Sequence, residues 1–286
     1  MSPEAVAILS SVFWAIDAIL VRLGARTSNI VAAAFWSYSV AALSFWIYVI
    51  ILLPRDFIFS PATRYFILGG CLQPLLARIF FYIGITRLGV SRAAPLRGLE
   101  PLLALILALS FLHEQPSSYV YWGTTLIVLS VWLITSGESA ENRWKLWHLI
   151  FPLGAAFFGA VSQNLRRGGL LILSEPIFGA AIGSSTSWIL LFLFLVSTGR
   201  LHLIRVDKKS FPFFGSAALV SLVAQFLNFA ALNLGEVSVI APLVNTTPLF
   251  SVLLSSLFLR DLEKVTLRIA CGAVLMVAGA MIIASR

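Results

Sequence analysis

The sequence predicts an all-α integral membrane protein with ten transmembrane helices arranged as two inverted five-helix repeats. Two observations carry this prediction: an excess of apolar residues, and a set of motifs that recurs in the second half of the chain. Of the 286 residues, 59% are hydrophobic and only 11% are charged, with a mean hydropathy of +0.96. Soluble domains are about 45–50% apolar and about 25% charged, so the excess must face lipid. At about 20 apolar residues per span, the chain has room for about ten helices and no separate soluble domain.

The predicted helices are apolar runs bounded by charge, glycine or proline. In order, they are 5–21, 30–53, 65–85, 93–112, 117–135, 147–165, 177–196, 211–234, 237–259 and 265–284. A polar, charged stretch from Gly137 to Lys145 separates the fifth helix from the sixth. We therefore divide the chain into a first repeat (1–137), a linker (138–146) and a second repeat (147–286).

The internal repeat rests on residues that recur at nearly equal spacing. A Leu-Gly pair precedes an Ala-Pro pair at 88–95 and again at 234–242, and a second proline, a glutamate and a glycine follow in both halves. The paired positions are Pro95 and Pro242, Pro101 and Pro248, Glu114 and Glu263, and Gly123 and Gly272. An odd number of helices in each half inverts the second half relative to the first. Such inverted repeats place a solute site near the membrane midplane, between the halves.

These matched residues resemble the EamA-type branch of the drug/metabolite transporter superfamily, and the resemblance covers nearly the whole chain. The first helix of each half departs from the family pattern: Ala15 follows Trp14 where glycine is usual, and Phe158 precedes Gly159 where tryptophan is usual. The resemblance implies a transporter, often an exporter of amino acids or other metabolites, and no enzyme activity. It also implies a cell inner (plasma) membrane location with both termini in the cytoplasm.

Polar groups inside apolar helices are costly, so each is a candidate for the transport site. Arg97 and Glu100 are three residues apart in the fourth predicted helix and share one face. Pro101 lacks an N–H and leaves a carbonyl near residue 97 without its helical partner. We predict that this segment contacts solute together with Asn245 and Thr246 of the matching segment. Alternatively, Arg97 and Glu100 only neutralise each other and lower the cost of insertion.

Further candidates are polar or aromatic residues on neighbouring predicted helices. Asp17 and Glu100 are predicted proton-coupling residues, although Asp17 would equally suit a structural ion pair with Arg22 or Arg78. The remaining predicted substrate-binding residues are Arg78, Gln225, Asn228, Trp14 and Tyr82. The predicted helix kinks are at Pro74, Pro95, Pro101, Pro242 and Pro248. We find no metal-ligand spacing and no catalytic constellation, and therefore predict no cofactor.

The leading hypothesis is a secondary transporter that moves amino acids or related carboxylate-bearing solutes by alternating access. Nothing resembles a phosphate-binding Gly-Lys-Ser/Thr loop, which argues against ATP as the energy source. A membrane-embedded enzyme or lipid-handling protein is the alternative, and it would need a convergent acid–base or metal set. The net charge of +8 does not indicate nucleic acid, because the basic residues mostly lie between apolar stretches. The predicted partners are a small solute and the bilayer, and the predicted state is a monomer.

The predicted orientation is a point of conflict. Cytoplasmic termini follow from the resemblance, and we adopt them as the expectation. Lysines and arginines near helix ends favour the opposite, because most of them fall in the connections that this orientation places outside. Arg22 and Arg92 do not count in this comparison if they lie inside helices or a cavity.

Overall fold

The computed structural model describes residues 1–88, 93, 96–135, 145–258 and 267–285, and no strand occurs among them. Short 3₁₀ helices (Arg55–Phe59, Leu146–Leu149 and Leu201–Ile204) connect some of the longer elements. Twelve α-helices lie in these ranges: α1 (Pro3–Gly24), α2 (Ile30–Leu52), α3 (Ala62–Gly70), α4 (Ala77–Leu88), α5 (Glu100–Phe111), α6 (Ser118–Thr135), α7 (Ile150–Ile172), α8 (Pro176–Ser197), α9 (Phe211–Leu234), α10 (Val237–Val244), α11 (Thr247–Phe258) and α12 (Leu267–Ala284).

Length and composition make this a multi-pass membrane protein. Among the described residues, six helical segments are long and apolar enough to cross a bilayer, and three further apolar helices are shorter. The six are Pro3–Gly24, Ile30–Leu52, Leu146–Ile172, Pro176–Ser197, Phe211–Leu234 and Val237–Leu254. The all-helical membrane class is therefore confirmed, while the count of ten spans stays a prediction.

Three of the predicted helices are interrupted. The third breaks across Cys71–Leu76, where Gln73 has an extended backbone (φ −134°, ψ 131°) because a residue before proline is driven out of the helical region. The fourth has a turn at residues 98–99, before α5 begins at Glu100. The ninth ends at Val244 and resumes at Thr247. The last two breaks each precede a proline at the second position of the new helix, where the missing N–H costs nothing.

The sixth helix is longer than the sequence indicated. Its predicted end at residue 165 is wrong, because α7 continues to Ile172 and carries Arg166 and Arg167 within it. Arg166 is buried against the face of the Phe229 ring, 5.0 Å from its centroid. The Arg167 guanidinium Nη1 donates to the carbonyls of Leu232 (2.7 Å) and Asn233 (3.0 Å) at the end of α9. Both cations thus have partners inside the protein, so they do not end the helix.

The described helices form two compact units, and each unit draws on both predicted repeats. The first unit comprises residues 1–71 and 165–234, and the second comprises residues 72–164 and 235–286. In the first unit, α1 packs along α9 and α2 packs along α8. In the second, α6 packs along α12 and α5 packs against α10. The division of the sequence at the linker stays a prediction.

The α6–α12 pair in the second unit is held by close backbone approach. A Cβ atom added at Gly123 would lie 2.7 Å from the carbonyl oxygen of Gly279, and one added at Gly279 would lie 2.8 Å from that of Gly123. The Ser130 hydroxyl donates to the carbonyl of Gly272 across the same interface at 2.6 Å. Small residues let helix backbones approach closely. Membrane helices depend on such packing contacts, because lipid tails are as apolar as the side chains and the hydrophobic effect does not drive the helices together.

We expect Gly123→Leu to destabilise the protein by about 1–3 kcal/mol, because the added side chain must separate two touching backbones. Thermal unfolding of the detergent-solubilised protein, followed by size-exclusion chromatography, measures this loss. The matched control is Gly215→Leu, because a Cβ atom added at Gly215 meets nothing within 4 Å. Equal unfolding temperatures for the two variants would contradict the proposed close packing.

Candidate functional site

The break before α5 holds an ion pair in the second unit. The Arg97 guanidinium Nη2 donates to Glu100 Oε2 at 3.2 Å, and the Glu100 side chain is only 4% exposed, compared with 26% for Arg97. Glu100 is the first residue of α5, where unpaired N–H groups and the helix dipole favour a negative charge. The carboxylate is thus held inside the unit, and the guanidinium is the accessible half of the pair.

A close approach by α7 encloses the Glu100 carboxylate. A Cβ atom added at Gly159 of α7 would overlap that carboxylate, so glycine is required for the two helices to meet there. One turn further along α5, the Asn164 side-chain amide donates to the carbonyl of Ala104 at 3.1 Å and to that of Ala160 at 3.0 Å. These contacts fix α7 against the start of α5.

An aromatic ring supports the Arg97 guanidinium. Its central carbon lies 5.2 Å from the centroid of the Phe81 ring on α4. Attraction between a cation and the ring face, together with the contact to Glu100, holds the guanidinium in one position. A planar, fixed guanidinium offers paired N–H donors to a carboxylate or a phosphate.

The second break, between α10 and α11, is neutral and is stabilised by its own side chains. Asn245 Nδ2 donates to the Ala241 carbonyl at 2.9 Å, and the Thr246 hydroxyl donates to the Leu243 carbonyl at 2.7 Å. Pro248 has no N–H for the Val244 carbonyl, and the Thr247 hydroxyl donates to that carbonyl instead, at 2.8 Å. Asn245 and Thr246, which the sequence indicated as solute contacts, therefore donate to the last turn of α10. Thr247 stands one residue before the repeated proline, as Glu100 does in the first half.

Glu114 joins the far ends of α5 and α10. Its two carboxylate oxygens accept from the backbone N–H groups of Val237 (2.8 Å) and Ser238 (2.9 Å) at the start of α10. His113 makes this possible by adopting a left-handed conformation (φ 54°), which turns the chain at the end of α5. Because α5 ends where α10 begins and the two helices pack together, they are antiparallel. The breaks at their other ends therefore lie on the same side of the pair.

A carboxylate that directly precedes a helix is expected to cap the N-terminus of that helix. The Glu114 carboxylate does cap a helix, but the helix is α10 from the second half of the chain and not the adjacent α6. The repeat-related Glu263 lies outside the described residues.

The other predicted site residues of the second unit lie on α4 and at the breaks. Arg78 is partly buried on α4, and Tyr82 belongs to the same helix. Pro74 lies in the interruption after α3, and Pro95 lies outside the described residues. The remaining predicted kink residues occupy the second position of α5 (Pro101), the interior of α10 (Pro242) and the second position of α11 (Pro248).

The first unit holds the other predicted residues. Trp14 and Asp17 lie on α1, and both are partly buried. Gln225 on α9 donates from Nε2 to the Ser184 hydroxyl of α8 at 2.5 Å. Asn228 is 4% exposed, and its buried Oδ1 accepts no hydrogen bond from the described residues. These four residues therefore do not belong to the unit that contains the Arg97–Glu100 pair.

Sequence reasoning missed three contributors to the charged break. Gly159 was noted only as part of a motif, although a glycine inside an apolar helix is itself a sign of close approach. Phe81 carried no signal, because aromatic residues are frequent throughout this chain. Asn164 was expected near a helix end, whereas it lies inside α7.

An open groove beside α7 is lined by apolar residues and contributes no ionisable group. Its residues are Leu146, Trp147, Ile150, Leu153, Gly154 and Phe157.

A charged pair at a break in a membrane helix is an arrangement that solute carriers use at their binding sites. The chain is a member of the EamA-like transporter family, whose sequence profile matches residues 1–136 and again residues 144–285. Members of this family are membrane transporters of small solutes and not enzymes. The crystal structure of another protein is similar in fold, with a TM-score of 0.78 at 12% sequence identity, and the match covers 99% of this chain and 98% of that chain. No curated protein matches the sequence.

We expect Glu114→Ala to destabilise the protein by about 2–4 kcal/mol, because two charge-assisted hydrogen bonds to α10 are lost. The readout is the thermal unfolding midpoint in detergent. Glu175→Ala is the matched control: Glu175 also precedes a helix, but its side chain makes no capping hydrogen bond. A loss at Glu175 as large as that at Glu114 would show that the capping contact is not the cause.

We expect Gly159→Ala to impair transport more than folding, because the new methyl group displaces the Glu100 carboxylate that orients Arg97. A loss of about tenfold in transport kcat/KM corresponds to about 1.4 kcal/mol of lost interaction. Gly183→Ala is the control, since its Cβ atom would only touch the Phe229 ring, at 3.8 Å, and the Phe66 carbonyl oxygen, at 4.0 Å. Wild-type transport by the Gly159→Ala variant would show that this packing does not matter for the site.

Proposed function

We propose that this protein is a secondary transporter that moves a small carboxylate-bearing metabolite, with amino acids as the first candidates. It works by alternating access, as a monomer, with ten transmembrane helices in two inverted five-helix repeats. The direction implied by the family resemblance is export across the cell inner (plasma) membrane. The observation that supports this proposal most strongly is the Arg97–Glu100 pair at the start of α5.

The proposed ligand-binding group is the Arg97 guanidinium. It is the more exposed member of the pair and has N–H donors beyond the one directed at Glu100. A guanidinium in a low-dielectric environment attracts a carboxylate more strongly than it would in water. The fixed support from Phe81 lowers the ordering cost of binding, because the side chain is already held in place.

The proposed role of Glu100 is to position Arg97 and to couple binding to protons. Its carboxylate is too enclosed by Gly159 to be the first contact for a solute. Its protonation state nevertheless sets the charge that a solute meets at Arg97, which is what a coupling residue requires. Asp17 on α1 stays the second proposed proton-coupling residue. The other residues that the sequence indicates stay proposed substrate-binding residues: Arg78, Tyr82, Asn245, Thr246, Trp14, Gln225 and Asn228.

Proteoliposomes loaded with a panel of labelled amino acids and organic anions test this proposal. We expect Arg97→Gln to lower transport kcat/KM by about 10- to 100-fold, because a charged hydrogen bond to the solute contributes about 1.5–3 kcal/mol. Glu100→Gln should abolish the dependence of transport on a pH gradient, while Arg97 still binds solute.

Arg64→Gln is the matched control, because Arg64 is an exposed cation on α3, in the other unit. If both site variants transport at wild-type rates, the proposed site is wrong. If the wild-type protein moves no amino acid or organic anion, the proposed substrate class is wrong.

A further inference from the structure

One end of the first unit gathers two connections into a single surface. The connection between α1 and α2 and the connection between α8 and α9 meet there. The hydroxyls of Thr27 and Ser210 are 2.6 Å apart, and the Asp207 N–H donates to the Ser28 hydroxyl at 2.8 Å. The Trp36 indole N–H, near the start of α2, donates to a carbonyl in the second connection at 3.3 Å. The two connections are thus tied together by hydrogen bonds.

This surface is strongly basic. Six cations on it have exposed side chains, and we call them the basic face: Arg22, Arg26, Arg200, Arg205, Lys208 and Lys209. Asp207 is the one acidic residue in the sequence stretches 22–29 and 198–211 that form the surface. The α1 residue Arg22, whose position was open on sequence grounds, is exposed at the last turn of its helix. It therefore belongs to the basic face.

The opposite end of the same unit is different. Arg166 is buried against Phe229, and Arg167 donates to carbonyls at the end of α9, so neither points outward. Among the side chains that the structure describes at that end, Arg64 is the exposed cation, and Glu4 and Glu175 lie at the starts of α1 and α8. The difference in exposed positive charge between the two ends is therefore larger than the difference that counting lysines and arginines in the sequence would suggest.

We infer that the basic face contacts the anionic phosphate headgroups of the cytoplasmic leaflet. Lysines and arginines in short connections are retained on the cytoplasmic side during insertion, and anionic lipids there attract clustered cations. The 22 residues of α1 span about 33 Å, which is enough to cross a hydrocarbon core of about 30 Å. The start of α1 then lies on the non-cytoplasmic side. This reverses the orientation that the family resemblance implied.

Cysteine labelling tests the orientation directly. In a background in which Cys71 and Cys271 are replaced by serine, His202→Cys marks the basic face and Ser174→Cys marks the opposite end; both positions are exposed. With a membrane-impermeant maleimide, we expect the Ser174→Cys variant to react in intact cells and the His202→Cys variant to react only after permeabilisation. The reverse pattern, or equal reaction of both variants in intact cells, would overturn the inference.

Neutralising the basic face tests its role. The triple variant Arg205→Gln/Lys208→Gln/Lys209→Gln should raise the reaction of the His202→Cys probe in intact cells several-fold, because the charge bias that retains this end is weakened. Arg64→Gln, at the opposite end, should leave the labelling unchanged. An unchanged pattern in the triple variant would show that these cations do not set the orientation.

A lipid titration separates headgroup binding from binding of any free anion. We expect phosphatidylglycerol added to the detergent-solubilised protein to raise its thermal midpoint, and phosphatidylcholine or inorganic phosphate to have little effect. The triple variant should lose most of the shift. An equal shift with inorganic phosphate, or a shift retained in the triple variant, would overturn the assignment of the face to anionic lipid.

Discussion

The structure depends on one constraint: inside lipid there is no water to pair with a backbone N–H or C=O. Every spanning segment must then be helical, and every interruption of a helix must be satisfied by groups of the protein itself. The break between α10 and α11 shows how this chain meets that demand. Pro248 removes one donor, and the side chains of Asn245, Thr246 and Thr247 supply donors to the carbonyls that end α10. Short polar residues at a proline break are therefore part of the backbone structure.

The two repeat-related breaks meet this constraint in different ways. The neutral break in the second half shows that side-chain hydroxyl and amide groups are enough to pair the free carbonyls of an interrupted helix. The first half has an arginine and a glutamate at its break, although burying a charge pair in lipid costs more than burying a hydroxyl. Arg97 stays partly accessible while Glu100 is enclosed by α7, and this difference favours the proposed solute-binding role over neutralisation alone. A pair that served only insertion would have no need to keep one member exposed and aligned on Phe81.

Much of the fold was predictable from the sequence, because lipid imposes a simple rule on composition and because prolines mark interruptions. The apolar runs located the long helices, and the repeated proline pairs located the charged and neutral breaks. The membership of the two units was not predictable, since it depends on which helices pack and not on their order. The continuation of α7 past Arg166 and Arg167 was also missed, because a sequence does not show that both guanidinium groups find partners within the protein. The partner of Glu114 lies 123 residues away in the chain, and local capping rules cannot identify such a contact.

The Glu114 contact has a mechanical consequence for the site. It fastens α5 from one half of the chain to α10 from the other, at the ends remote from both breaks. Hydrogen bonds that backbone N–H groups donate to a carboxylate are strong. This end of the α5–α10 pair is therefore the more rigid one. Bending is cheapest where a helix already lacks backbone hydrogen bonds, and the two breaks provide this at the other end. An antiparallel pair that is clamped at one end and interrupted at the other concentrates its flexibility beside Arg97 and Glu100. The proposed transport mechanism needs its flexible region there, because the proposed solute-binding group, Arg97, must change its surroundings without unfolding the helix that carries it.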